Sequence, residues 1–232
     1  MRDEPSRRQG CAYVVSLLCG AIVWSVLHVD KGCGQDDART DGTVVHATEA
    51  DAPIREPANE FWNQFRGPNG QGVMTAAQIP VDFGADRKVL WKTAVGFGQS
   101  SPVIWGNRIF LTSCSPEQEY QLTTSCFDRE RGRELWRESV IPRAKARFYP
   151  LNGPASPTAA VDDRHVYVCF GTYGLICYDH QGNNVWERLI DPPASLYGMS
   201  VSPILYKQLV ILVVDDDKRK SRILAIDRDT GT

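Results

Sequence analysis

The sequence predicts an all-β protein: a partial β-propeller of four-stranded antiparallel blades, with about two complete blades and parts of two more, preceded by an N-terminal apolar helix. Three observations predict it. A Ser-Pro opening recurs at Ser101-Pro102, Ser156-Pro157 and Ser202-Pro203. Each opening leads to an apolar run of strand-favouring residues: Ile109-Phe110-Leu111, Val166-Tyr167-Val168 and Leu209-Val210-Ile211-Leu212. Each run leads to an aspartate with a glycine close behind: Asp128 and Gly132, Asp179 and Gly182, Asp227 and Gly231.

The spacing is regular. Pro102 and Pro157 are 55 residues apart, and Pro157 and Pro203 are 46 apart. Trp136 and Trp186 close the first two units, Trp91 closes a preceding one, and the intervals between them are 45 and 50. Four short strands in a repeat of this length are the signature of a propeller blade. Helix-pair solenoids share the period but need apolar residues every ~3.6 positions, which these runs lack.

Taken in order, the chain opens with Arg2, Arg7 and Arg8, then an uncharged run of 19 residues from Cys11 to Val29. That run is near the length a helix needs to span a bilayer and exceeds a usual signal-peptide core. Basic residues before it and Asp30 after it suit an N-in orientation. Residues 1–33 are therefore read as a signal peptide or transmembrane anchor. The anchor is favoured, because no small-x-small cleavage site follows the run closely. Ser6-Arg7-Arg8 opens like a twin-arginine signal, but Gly10 and Cys11 replace the apolar pair expected next. Gly32-Cys33 ends like a lipoprotein acylation site, but Asp30 and Lys31 break its apolar pattern. A buried helix of a soluble domain would not stand alone before a polar linker. The expected localisation is exported, either anchored in the cell membrane through residues 11–29 or periplasmic.

Residues 34–60 mix Asp36, Asp37, Asp41, Glu49, Asp51 and Glu56 with small residues and prolines, without apolar periodicity. They are read as a disordered linker. Residues 61–232 form the propeller segment. At its start, the glycine-rich stretch Gly67 to Gly72 follows no clear strand and leads to no Lys-Ser/Thr, so turn chemistry accounts for it better than phosphate binding.

Within the repeat, Gly132, Gly182 and Gly231 permit the turn between third and fourth strands. The aspartate before each accepts hydrogen bonds from turn amides. The tryptophan presents a large face to the neighbouring blade, where its indole N–H needs a partner. These residues read as structural, and none is nominated as a catalytic carboxylate.

Composition narrows the remaining chemistry. The net charge of −2 gives no field that would draw nucleic acid, and 42% apolar with 23% charged residues is ordinary for a globular chain. The seven cysteines include no C-x-x-C pair and no Cys/His set with zinc spacing. Cys169 and Cys177 fall on the two arms of one hairpin, where free buried thiols are the commoner state and a disulfide the alternative. Asp215-Asp216-Asp217 is continuous and followed by Lys218, Arg219 and Lys220, which suits a solvated loop better than a calcium loop. His165 and His180 lack spaced partners. Arg143, Lys145 and Arg147 read as a solvated connection. No catalytic or metal-binding residue is assigned, and the cofactor-binding residues are unknown.

The segment Ala225-Ile226-Asp227-Arg228-Asp229-Thr230-Gly231 resembles the tryptophan-docking motif A-x-D-x-x-T-G-x-x-x-W of PQQ-like (pyrroloquinoline-quinone-type) repeat β-propellers. Asp128 to Trp136 and Asp179 to Trp186 are looser copies. Phe61 to Gly70 is similar to the lead-in of exported bacterial members, notably those of planctomycetes. The resemblance covers residues 61–232 and implies a ring of about seven or eight blades, so this chain is expected to be part of one and prone to associate. It also implies three functions: a non-enzymatic outer-membrane assembly scaffold, a quinoprotein dehydrogenase using PQQ and calcium, or the sensor part of a serine/threonine-kinase-related protein. The adjacent-cysteine pair of many alcohol-oxidising quinoproteins is missing. The expectation is therefore a binding or scaffold module with no cofactor, meeting protein partners at propeller loops or open blade faces; PQQ and calcium belong to the alternative.

Overall fold

The apolar runs of the repeat become the second strands of three successive sheets. The computed structural model describes residues 12–17 (as backbone), 61–74, 80–115, 118, 120–143 and 152–232. In chain order the strands are β1 Ala12–Leu17, β2 Val89–Val95, β3 Val103–Trp105, β4 Arg108–Ser115, β5 Gln121–Asp128 and β6 Glu134–Val140. They continue with β7 Ala160–Val161, β8 His165–Phe170, β9 Gly174–Asp179, β10 Asn184–Leu189, β11 Ile204–Tyr206, β12 Leu209–Val214 and β13 Arg222–Asp227. The first blade is β3-β4-β5-β6, the second β7-β8-β9-β10, and the third β11-β12-β13, each an antiparallel meander. β2 is the outer strand of a preceding blade. The all-β partial propeller predicted from the repeats is what the structure shows.

The blades stack face to face. Phe110, Leu122 and Cys126 of the first blade pack against Val166, Val168, Ile176 and Tyr178 of the second. Tyr167, Cys169, Leu175 and Cys177 on the second blade's other face pack against Val210, Leu212, Val214 and Ile226 of the third. A strand covered on both faces has no polar face, so the burial of β8 is unbroken from Val166 to Phe170. The outer strands β6 and β10 instead turn inward mainly through Trp136 and Trp186, with polar neighbours outside.

The N-terminal apolar helix expected over residues 11–29 is corrected in part. Ala12–Leu17 is a strand, antiparallel to β2, pairing Ser16 with Trp91 and Val14 with Thr93. Tyr13, Val14 and Val15 suit a strand, and the edge of β2 offers unpaired backbone groups. The rest of that run, the linker at 34–60, the basic residues Arg2, Arg7, Arg8, Lys145 and Arg147, and Cys33 lie outside the described residues. Among the described residues no helix is long and apolar enough to cross a membrane.

Cys114, Cys126, Cys169 and Cys177 are all free and buried. Cys169 lies opposite Leu175 and Cys177 opposite Tyr167, so the two thiols are diagonal neighbours on one face and do not face each other across the hairpin.

Candidate functional site

An antiparallel meander sends its connections alternately to two ends of the blade. Here the two ends differ in kind. One carries the short turns β3–β4, β5–β6 and their counterparts. The other carries the longer connections β6–β7 and β10–β11, together with β8–β9 and β12–β13.

The short-turn end is built for blade closure. Trp91 Nε1 donates to Arg129 O at 2.8 Å, Trp136 Nε1 to His180 O at 2.9 Å, and Trp186 Nε1 to Arg228 O at 2.9 Å. Each indole lies over the turn glycine of the next blade. A Cβ on Gly132, Gly182 or Gly231 would sit 2.3, 2.8 or 2.7 Å from the ring, and all three glycines have positive φ. The preceding aspartate holds the turn: Asp128 Oδ1 accepts from the amides of Glu130 and Arg131, and Asp179 Oδ1 from those of Gln181 and Asn183. Asp227 Oδ1 accepts from the amides of Asp229 and Thr230 and from the Thr230 hydroxyl. Burial works against the Asp179 carboxylate, but the side chain and amide of Asn183 outweigh it and hold its pKa below 3.8. The Thr230 amide and hydroxyl do the same for Asp227. These groups are committed to folding.

A polar cluster joins the second and third blades at this end. Buried Asp162 accepts from the Tyr167 hydroxyl at 2.9 Å and lies 3.4 Å from the Arg228 guanidinium. Burial, then the Asp162 carboxylate, pushes the Tyr167 phenol far up. His165 Nδ1 lies 3.4 Å from the Tyr167 hydroxyl. His180 Nε2 meets Asp162 O at 2.9 Å, and burial lowers its pKa. The two histidines noted in the sequence are thus drawn to one cluster, but each is occupied by backbone or by tyrosine rather than aimed at a substrate.

At the hub, the lead-in segment crosses the innermost strands. Trp62 O accepts from Ile104 N and Asn63 O from Val161 N, while Phe61 stacks on Trp105 with centroids 4.5 Å apart. Gly67 lies under the Trp62 ring, so the glycine-rich stretch is a turn packed on this lead-in. The innermost strands carry Val103, Ile104, Trp105, Ala160, Val161, Ile204, Leu205 and Tyr206, with no carboxylate. Among the described residues no three His, Cys, Asp or Glu side chains converge as a metal site.

The long-connection end holds a cleft of about 500 Å³. It lies among the β6–β7, β8–β9, β10–β11 and β12–β13 connections and is lined by Gly153, Thr172, Pro193, Leu196, Met199 and Lys218 among others. The acidic run forms one wall. Asp216 Oδ2 accepts from Ala194 N at 2.9 Å, Asp217 Oδ2 from Leu196 N at 2.8 Å, and Asp217 N donates to Ala194 O at 2.7 Å. Asp215 accepts from the Ser221 hydroxyl. The Ala194 amide holds the Asp216 carboxylate below its usual pKa. Asp216 and Asp217 thus strap a loop. That strap presents Leu196 and Tyr197, 62% and 59% exposed, beside the cleft. Thr172, 4% exposed, lines the cleft with a hydroxyl that has no hydrogen-bond partner among the described residues. Sequence reading missed Pro192 to Met199. The only signal was the acidic run itself, since the loop that it straps has no periodicity.

Residues 121–232 match the family model described as outer membrane protein assembly factor BamB. No characterised protein matches the chain by sequence. Among solved structures, a europium-containing methanol dehydrogenase matches at 15% identity and a TM-score of 0.45, over 59% of this chain and 24% of that one. BamB from Moraxella catarrhalis matches at 15% identity and 0.40, over 62% and 38%. The quinohemoprotein alcohol dehydrogenase from Comamonas testosteroni matches at 19% identity and 0.38, over 59% and 20%. The chain thus spans well under half the length of each of these structures.

Proposed function

We propose that this chain, which belongs to the PQQ-like repeat β-propeller family, is a binding and scaffold module that holds a partner protein at its long-connection end. One observation carries the reading. Asp216 and Asp217 pre-order the Ala194–Leu196 segment, so Leu196 and Tyr197 stand exposed beside the cleft in a loop already fixed by hydrogen bonds. Exposed apolar anchors on an ordered loop lower the entropic cost of association. The hub and the short-turn end, by contrast, commit their polar groups to folding. Export, with tethering through residues 11–29, belongs to the same proposal and is supported by the basic residues followed by an uncharged run. Tethering would draw residues 12–17 out of the sheet.

Two measurements test the proposal. Titration with PQQ and calcium, followed by absorbance, is expected to show no saturable binding; saturable binding with alcohol oxidation would refute the scaffold reading. A photo-crosslinker at Leu196 or Tyr197, in cells exporting the protein, is expected to capture a discrete partner, and one at the exposed Val81 is not. Equal labelling from all three sites would remove the loop as the binding surface.

A further inference from the structure

The cleft at the long-connection end has a floor, walls and a rim of different chemistry. At the floor lies the tight turn between β8 and β9, closed by Tyr173 N donating to Phe170 O at 2.9 Å. Thr172 sits in that turn. Its carbonyl accepts from Arg143 N at 3.1 Å, but its buried hydroxyl has no partner among the described residues. A buried hydroxyl left unpaired is costly, so it marks a place where a polar group arrives. Met199 forms one wall. It packs on the core shared by the second and third blades and lies close against Gly171, where a Cβ would sit 2.6 Å from its own Cβ. Pro192, Pro193 and Leu196 line the rest. Charge is confined to the rim. Among the described residues the charged side chains lining the cleft are Asp217 and Lys218, both exposed and opposite in sign.

These three layers select the occupant by elimination. A water would satisfy the hydroxyl, but it needs only ~10–15 Å³ of such space. The cleft offers about 500 Å³, within the range of ligand sites. A carboxylate or ammonium reaching the floor would leave water with no buried counter-charge to meet it, and the rim charges offset each other. A purely apolar group would leave the Thr172 hydroxyl unpaired. What remains is an uncharged group with an apolar body and one hydrogen-bonding tip. An aromatic ring suits the walls, since a methionine sulfur attracts ring edges. A phenol both donates and accepts, as the threonine hydroxyl does, whereas an indole only donates.

We propose that this cleft receives a tyrosine side chain of the partner protein, its phenol hydrogen-bonded to Thr172 Oγ1 and its ring against Met199 and Pro193. The proposal rests on the reading that a partner docks at this end, and it names the chemistry by which that partner is recognised. Leu196 and Tyr197 flank the cleft, so the inserted ring would be enclosed by contacts that exclude water, the arrangement in which a single aromatic residue carries much of an interface.

The test uses the full chain and two blocked tripeptides, one with tyrosine and one with phenylalanine between alanines, titrated by saturation-transfer NMR. The tyrosine peptide is expected to bind about fivefold more tightly, the worth of one ordinary hydrogen bond. Thr172→Val keeps the shape, removes the unpaired hydroxyl and is expected to hold or raise the urea midpoint while making the two peptides equal. Thr172→Ser is expected to retain the preference, and Lys218→Ala to leave it unchanged. Equal binding of the two peptides to the unaltered chain overturns the proposal, and so does binding of neither. A tyrosine preference that survives Thr172→Val overturns it as well, as does stronger binding of the glutamate peptide. A Thr172-dependent preference for tryptophan overturns the choice of a phenol. Failure of these titrations with partner capture at Leu196 intact removes the cleft and keeps the loop. Tyrosine-selective binding without that capture removes the loop reading alone.

Discussion

Substituting Gly182 by alanine separates two costs that the blade turn imposes. The first is conformational. Gly182 has φ +93°, where an L side chain costs about 1–2 kcal/mol. The second is steric. The new Cβ would lie 2.8 Å from the Trp136 ring, well inside the ~3.5–4.0 Å of a comfortable carbon contact. The ring cannot slide away freely, because its N–H is held by His180 O at 2.9 Å and it packs near Phe110 and Tyr178. Overpacking of this kind costs about 1–3 kcal/mol. Gly182→Ala is therefore expected to lose about 2–5 kcal/mol. Trp136→Ala alone is expected to lose about 3 kcal/mol, the low end for a large aromatic because the side chain is only partly buried. In the Trp136→Ala background the steric cost vanishes, so Gly182→Ala should then cost only about 1–2 kcal/mol. The coupling of about 1–3 kcal/mol is read from urea unfolding of the four chains, with sucrose added equally to all to keep the double variant folded. An equal cost of Gly182→Ala in both backgrounds would refute the claim that this glycine exists to admit the indole.

Three further outcomes follow from the geometry. The carboxylates of Asp179, Asp216 and Asp227 have lowered pKa values, so their stabilisation is complete above 3.8, the unfolded value, and is lost as pH falls through the lower folded values. Acid unfolding followed by circular dichroism should therefore steepen below that value, and Asp179→Ala should lessen the slope. Burial raises the thiols of Cys114 to about 11 and of Cys126 and Cys169 to about 12, and raises Cys177 further. Iodoacetamide at pH 8 should leave all four unlabelled until denaturant is added, and peptide mass spectrometry would show any exception. Asp217→Ala removes the acceptor for Leu196 N, so the Pro192–Gly198 loop should exchange amide hydrogens faster and be cut earlier by protease, while the strands keep their protection.

The closure turns were legible because the same physical problem is solved several times. Each blade must seat an indole on the next, and each seat needs an aspartate to hold the turn and a glycine to leave room. Repetition turned Asp128, Asp179 and Asp227 into a pattern, and the structure places all three as expected. The loop at Pro192–Met199 is built once, so no period marks it. The acidic run at Asp215–Asp217 is visible in the sequence, where the following Lys218, Arg219 and Lys220 suit a solvated loop. Its carboxylates instead reach amides about twenty residues back in the chain, a pairing that only the sheet order brings together.

The six residues of β1 show where sequence reasoning has to yield to topology. An uncharged run followed by Asp30 looks the same whether a bilayer or a sheet edge receives it, because both reward removing apolar side chains from water and require the backbone groups to be paired. What separates the two is the partner. The edge of β2 supplies a ladder, and the bulge beside Trp91 sets a register that a bilayer cannot impose. Held on β2, the segment covers the edge of an outer strand that belongs to the blade before the first complete one.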